Sequence, residues 1–327
     1  MNVLVFTVWP VEFWRVPESQ IRRLRERFPE FTFTHALTDN DAAEAIQTAD
    51  VALASRLSAA MVERAPRLRW VHSTAAAVGI LPLQELAARR IAVSNSRGIQ
   101  AAPIAEHVMG GLLLLSRRFN LMLEAQRERR WIQNELSSAA WPWSLKGRKM
   151  TILGFGTIGQ EVARRAHAFG MSVTGIRRRL DQPVPPFVDR IVSGKQLDEA
   201  LRGSDVLVIS APFIRETDRM IRAEHLALMN PGAILINVAR AKIVDESAMM
   251  TALQSGRLGG AVLDVFEREP LDAASPLWDL PNVIVSPHSS GLRPDHWDEV
   301  IALFSENLLR FQRGEPLVNE VDCNAGY

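Results

Sequence analysis

Three polar side chains stand where three apolar runs of the sequence end. Arg240 follows the run 233–238 and Ala239; Glu269 follows 260–265 within Phe266-Glu267-Arg268-Glu269-Pro270; His288 follows 282–286 and Pro287. Their types make one chemical kit. A guanidinium holds a carboxylate through two parallel hydrogen bonds. An imidazole gives or takes a proton near neutrality, and a carboxylate beside it orients the ring and raises its pKa above the ordinary ~6.5. Together they suit the proton transfer that accompanies a hydride at the oxygen-bearing carbon of a small carboxylic acid. One at a time these residues have plainer readings. Loop arginines and glutamates are mostly solvated, and a lone histidine is more often structural, as His35, His72, His107, His167, His225 and His296 are read here. What separates Arg240, Glu269 and His288 is their joint arrival at strand ends, where open α/β sheets bind ligands.

A second group carries phosphate chemistry. Gly154-Phe155-Gly156-Thr157-Ile158-Gly159 has the spacing G-x-G-x-x-G, with an apolar run at 150–153 before it, a helical pattern at 160–169 after it and Gly170 as the stop. That is the strand–turn–helix context of a dinucleotide site. Gly154 permits the tight turn, Gly156 lets backbone approach a pyrophosphate, and Gly159 lets helix pack on strand, while the helix N-terminus offers N–H groups to the phosphates. The plainer reading is a glycine-rich turn of any α/β domain, and a methyltransferase also carries such a turn but does not need Arg240, Glu269 and His288 together. Eighteen residues after Gly159, where a carboxylate would bind ribose hydroxyls, stand Arg177, Arg178 and Arg179. An arginine fork there attracts a 2′-phosphate. The expected cofactor is NADP(H), with NAD(H) the weaker one, and Arg177 and Arg178 are the expected clamp; the plainer reading is a solvated charge run.

These groups need elements to position them. Short apolar runs at 2–8, 31–36, 51–55, 69–73 and 91–94 alternate with helical patterns at 18–28, from 41, at 58–65 and at 83–89. A second alternation has runs at 150–153, 171–176, 190–192, 205–210, 233–238, 260–265 and 282–286. Each predicts a parallel sheet covered on both faces, hence an α/β chain with two doubly wound domains. A helical stretch at 101–131 has no strand partner, Trp141-Pro142-Trp143 and Lys146-Gly147-Arg148 read as a linker, and the helical segment 294–313 belongs to neither sheet.

Length and composition agree with two cores. The chain has 327 residues, 47% hydrophobic and 23% charged, which excludes a largely disordered or collagen-like polymer. With 38 basic against 37 acidic residues, no nucleic-acid or membrane partner is expected. A single cysteine, Cys323, excludes an intrachain disulfide and a thiolate zinc site, and no metal centre is expected. The longest apolar run, 108–115, contains Gly110 and Gly111 and is far short of the ~20 residues of a membrane span. The first residues read as a buried strand rather than a signal peptide, so a cytoplasmic protein is expected.

The glycine motif, Asn237-Val238-Ala239-Arg240, Asp264-Val265-Phe266 through Glu269-Pro270-Leu271, and Ser286-Pro287-His288 resemble the signatures of the D-isomer-specific 2-hydroxyacid dehydrogenase family, as do Asn95-Ser96-Arg97-Gly98 and Ala105-Glu106-His107. The resemblance implies a flavodoxin-like substrate domain, 1–98 and 292–327, with a Rossmann cofactor domain, 99–291, inserted into it, and makes 101–131 and 294–313 the crossovers. It implies hydride transfer between NADP(H) and a 2-oxo or 2-hydroxy acid, in the direction of reduction, with glyoxylate, hydroxypyruvate or a bulkier 2-oxoacid as substrate. Arg240 would bind the substrate carboxylate and carbonyl, Glu269 would partner the imidazole, and His288 would be the acid/base. Further cofactor contacts would come from Ala211, Pro212, Val238, Ala239, Asp264 and His288, and carboxylate donors from the backbone of Ala76 and Ala77. Two departures stand out. Ala75-Ala76-Ala77-Val78-Gly79 replaces the family's usual Gly-Ala-Gly, and Ala241 replaces a Gly, so positive φ becomes costly at both places. Trp9, Phe13 and Trp14 either face the substrate or pack the crossover helices. Trp131, Trp141 and Trp143 are candidates for a homodimer interface. The competing reading is a dinucleotide-sensing interaction protein of the corepressor type; formate or phosphite oxidation on the same scaffold is a further one.

Overall fold

Side chains alternate along the first strand, β1 (Asn2–Phe6): Val3 and Val5 enter one buried cluster and Leu4 and Phe6 another. A strand buried on both faces reads as a continuous apolar run, which is why residues 2–6 were legible as one. The computed structural model describes residues 1–138, 142–324 and 326. In it β1 joins β2 (Thr32–His35), β3 (Val51–Ala54), β4 (Trp70–Ser73) and β5 (Ala92–Asn95) in a parallel sheet of order β2-β1-β3-β4-β5. This is the flavodoxin-like order, with its reversal between β1 and β3. The chain divides into two compact units, Met1–Ile99 with Arg293–Tyr327, and Gln100–Leu292.

In the first unit, Ile21 and Leu24 of the helix Glu18–Arg27 pack on the Val3 and Val5 face. Beside them lie Trp297, Val300, Phe304 and Leu308 of the helix His296–Arg313. The residue pattern left 294–313 with neither sheet, and the resemblance put it with 1–98; its apolar stripe covers this sheet, and Gly314 (φ +68°) ends it in a left-handed cap. Phe13 and Trp14 take the packing role. Their rings lie 5.3 and 5.2 Å from that of His296, and the Trp297 indole N–H donates to the Phe13 carbonyl.

The second unit holds β6 (Lys149–Leu153), β7 (Ser172–Ile176), β8 (Arg190–Val192), β9 (Val206–Ile209), β10 (Ala233–Asn237), β11 (Leu258–Leu263) and β12 (Val283–Val285), all parallel, in the order β12-β11-β10-β9-β6-β7-β8. The order reverses between β6 and β9, the Rossmann switch point. The stretch 101–131 is not one helix. It breaks after Ala101–Ser116 at Arg118, which has φ +60°, and resumes as Phe119–Arg127. Its first helix packs on another helix. Ile104, Val108, Leu112 and Leu115 form a stripe buried with Val162 and Ala166 of the helix Thr157–Ala168. Gly111 is what lets it approach the sheet, since a Cβ there would lie 2.7 Å from Val262 Cγ1. The expected linker is docked too: Trp143 donates its N–H to the Ser116 carbonyl and its ring lies 5.0 Å from the Arg148 guanidinium. Trp143 therefore serves its own unit's packing, Trp131 is 88% exposed, and Trp141 lies outside the described residues. Among the described residues no helix is long and apolar enough to cross a membrane.

Candidate active site

At the switch point, Gly154 turns the chain out of β6 with φ +96°, and a Cβ there would lie 2.3 Å from the Ala211 backbone nitrogen. Only glycine fits both the angle and the space. Gly159 is equally constrained, with the Gly154 carbonyl 2.5 Å from where its Cβ would be. Gly156 differs: a Cβ there would meet nothing within 4 Å. The space above it is open, as a phosphate cradle requires. Gly156 is also the N-cap of Thr157–Ala168, and no side chain caps that helix. Its first-turn N–H groups, at Thr157 and Ile158, thus face outward beside a positive dipole end. This part of the site fits a dinucleotide. Phe155 does not join it: its side chain is in the core and its N–H donates to the Ile176 carbonyl at 2.9 Å. Ala211, Val238 and Ala239 are buried at the carboxyl ends of β9 and β10, with Pro212 exposed beside them.

The two arginines of the expected clamp are placed differently. The Arg177 guanidinium turns back onto its own loop, donating to the carbonyls of Gln182 and Pro183 and to Gln182 Oε1. It braces residues 177–183, while Arg178 is exposed at the strand end.

On the other side of the switch point the three chemical residues arrive as expected from β10, β11 and β12. Asn237, the last residue of β10, shapes the Arg240 turn: its Oδ1 accepts the Ala239 N–H at 3.0 Å and its Nδ2 donates to the Arg240 carbonyl at 3.0 Å. Desolvation lowers the Arg240 pKa, opposed by the charge of Glu269; a guanidinium stays charged regardless. His288 Nδ1 and Glu269 Oε2 are 2.7 Å apart, and Glu269 Oε1 accepts the Phe266 N–H at 3.0 Å. Pinned at both oxygens, Glu269 aims the ring so that Nε2 is the nitrogen left for a ligand. The imidazole retains 47% of its accessible surface, so this face is open. Asp264 is placed behind the site, not on it. It is fully buried, and its carboxylate accepts the Ser286 hydroxyl and the N–H groups of Ser289 and Ser290.

In the first unit, Ala76 and Ala77 are exposed just past β4, and Asn95 Nδ2 donates to the Ala76 carbonyl at 2.8 Å. Neither this loop nor Ala241 adopts positive φ, so the alanines introduce no backbone strain. Sequence reasoning passed over Asn237, Ser286 and His107 as functional residues. The signal for the first two was a polar residue closing an otherwise apolar strand, where a side chain can capture the backbone of the turn that follows.

Comparison with known proteins gives a consistent picture. A sequence model of the NAD-binding domain of D-isomer specific 2-hydroxyacid dehydrogenases matches residues 109–290. A glyoxylate reductase of Thermococcus onnurineus is 32% identical over 314 residues, covering 92% of this chain and 92% of the relative. The structure of a D-isomer specific 2-hydroxyacid dehydrogenase family protein from Aeromonas salmonicida superposes with a TM-score of 0.81 at 34% identity, covering 98% of both chains. A D-isomer specific 2-hydroxyacid dehydrogenase from Xanthobacter autotrophicus, solved with NADPH and MES, does so with a TM-score of 0.82 at 29% identity, covering 99% of both.

Proposed function

The chain belongs to the D-isomer specific 2-hydroxyacid dehydrogenase family, and from that premise we propose that it reduces the C2 carbonyl of a 2-oxoacid, glyoxylate or hydroxypyruvate first and a bulkier 2-oxoacid next, to the D-2-hydroxyacid. The observation that carries this is the Glu269–His288 pair, 2.7 Å apart, at the carboxyl end of the same sheet as Arg240 and an open glycine cradle. Bound NADPH, with NADH as the weaker alternative, supplies the hydride. Arg240 pairs with the substrate carboxylate and polarises the carbonyl. His288 Nε2 gives its proton to the oxygen that becomes the alcohol, and the carboxylate of Glu269 compensates the charge the ring carries beforehand. Gly156, Thr157 and Ile158 hold the pyrophosphate, with Ala211, Pro212, Val238 and Ala239 as the further contacts at the strand ends.

The NADPH preference rests on the arginines that end β7, and a neighbour solved with NADPH supports it. Arg178 is the proposed phosphate contact and Arg177 the brace of its loop. We further propose a cytoplasmic homodimer, supported by exposed Phe119, Leu123 and Trp131. The relatives that this chain resembles are reductases and dehydrogenases, and none supports a dinucleotide-sensing assembly protein, which is why the catalytic reading is preferred. The test is loss of reduced-nicotinamide absorbance, with NADPH and NADH in parallel, against 2-oxoacids from glyoxylate to phenylpyruvate. Faster turnover with NADPH supports both substrate class and cofactor. No turnover with any 2-oxoacid, despite nucleotide binding, refutes the reductase.

A further inference from the structure

Behind His288 runs a chain of hydrogen bonds that the acid–base chemistry does not itself use. Asp264 accepts the Ser289 N–H on Oδ1 at 2.8 Å and the Ser290 N–H on Oδ2 at 3.0 Å. Those are the two amides that follow His288, whose φ of +51° is left-handed. Successive N–H groups beside a left-handed residue form a small anion-binding hollow, and the Asp264 carboxylate fills it. A non-glycine residue holds such a conformation only when its surroundings over-determine it. Asp264 Oδ1 also lies 2.7 Å from Ser286 Oγ, and Ser286 Oγ lies 3.0 Å from His107 Nε2, on the helix Ala101–Ser116. A carboxylate only accepts, so the single hydroxyl proton of Ser286 goes to Asp264. Ser286 must then accept from His107, and that places the ring proton on Nε2.

From this geometry we infer that His107 is a positioning residue: through Ser286 and Asp264 it holds the His288 turn in the conformation that presents the imidazole. The inference rests on the catalytic role proposed for His288, but it has a readout of its own. Losing the Nε2–H donor frees Ser286 to rotate, weakens the Asp264 anchor and lets the turn leave its left-handed state. A glutamine at 107 supplies an amide N–H at a similar reach and preserves the chain, whereas leucine removes the donor.

The experiment compares wild type, His107→Gln, His107→Leu, Ser286→Ala and the double variant His107→Leu/Ser286→Ala. Amide hydrogen exchange at Ser289 and Ser290 is measured alongside kcat and KM for NADPH and glyoxylate. Expected are exchange at both amides about tenfold faster in His107→Leu and kcat about tenfold lower, with KM for NADPH unchanged and both effects largely reversed in His107→Gln. The double variant is expected to be no worse than either single, because both break one chain. Nitrogen NMR of His107 at neutral pH is expected to show the Nε2–H tautomer. Unchanged exchange at Ser289 and Ser290 in both single variants overturns the inference, as does an equal loss in His107→Leu and His107→Gln, or an Nδ1–H tautomer. If His107→Leu does not fold, Ser286→Ala, which deletes one oxygen, carries the same test. If the wild type reduces no 2-oxoacid, the proposed function fails while the exchange measurement still decides this inference.

Discussion

At the scale of single residues, the candidate chemistry depends on orientation more than on presence. His288 and Glu269 are both partly exposed, and an exposed ion pair contributes little stability. Their value lies in leaving Nε2 aimed outward. Glu269→Gln keeps the shape but removes the charge that compensates the protonated ring, so kcat for 2-oxoacid reduction should fall about 100-fold, with NADPH affinity by calorimetry within twofold of wild type. His288→Ala should abolish turnover with the same nucleotide affinity retained; near-normal turnover would remove His288 from the mechanism. Gly154 is a different kind of residue, because its replacement fails on sterics. Gly154→Ala sets a Cβ against the Ala211 backbone at a φ of +96°. NADPH binding should become undetectable by calorimetry while circular dichroism still reports the α/β secondary structure. Which of two adjacent arginines faces outward was not legible from sequence. Arg177 and Arg178 look alike there, and the path of residues 178–183 decides that Arg177 turns inward to the carbonyls of Gln182 and Pro183.

At the scale of elements, the approach distance between the helix Ala101–Ser116 and β11 sets the packing of the second unit. Alanine is the better helix former by ~1 kcal/mol, yet Gly111→Ala should destabilise by about 1–3 kcal/mol, because overpacking against Val262 outweighs propensity. Urea unfolding checks this, and Val262→Ala in the same chain should restore most of the loss by making room. A melting point raised by Gly111→Ala alone would mean the helix stands off the sheet. The loop after β7 offers a second element-scale test. If Arg177 braces the loop and Arg178 meets the phosphate, Arg178→Asp should reverse the NADPH-over-NADH preference in kcat/KM. Arg177→Ala should weaken both cofactors to a similar degree. Equal effects of the two substitutions on the preference would return Arg177 to the clamp. The elements themselves were largely readable as alternating apolar runs. The break at Arg118 was not, and the residue pattern alone did not show which sheet His296–Arg313 covers, because that depends on a surface distant in sequence.

At the scale of the whole molecule, the two units should differ in their response to acid. The first unit buries two histidines. Burial pushes His72 down to about 3, its ring held by Ser94 Oγ and Ser96 Oγ. His296 is pushed down to about 4 by burial, then by the Arg293 charge, among Phe13, Trp14 and Trp297. Both are neutral in the folded chain at pH 5, while in the unfolded chain they take up protons below ~6.5. Their contribution is therefore fully present above ~6.5 and is lost as pH falls towards their folded values. For His72 the loss between pH 6.5 and 5 is about 2 kcal/mol. Hydrogen exchange at pH 5 should show protection falling in Met1–Ile99 before Gln100–Leu292, and His72→Gln should reduce that difference. Simultaneous loss in both units would show that these histidines do not set the acid limit.

By itself the sequence determined what depends on local periodicity and residue type. Apolar runs buried on both faces have to be parallel strands, a G-x-G-x-x-G between strand and helix has to be a turn onto a helix N-terminus, and Arg240, Glu269 and His288 have to emerge where their strands stop. These follow from neighbours along the chain. Only the tertiary structure decided the rest, because each of those outcomes is a distance between segments far apart in sequence. It brought Glu269 to His288 across nineteen residues, placed Asp264 behind the site, and set His107 against Ser286 across 179 residues. A histidine that reads as structural in the sequence becomes a candidate support for the reaction only when the fold shows which oxygen it faces.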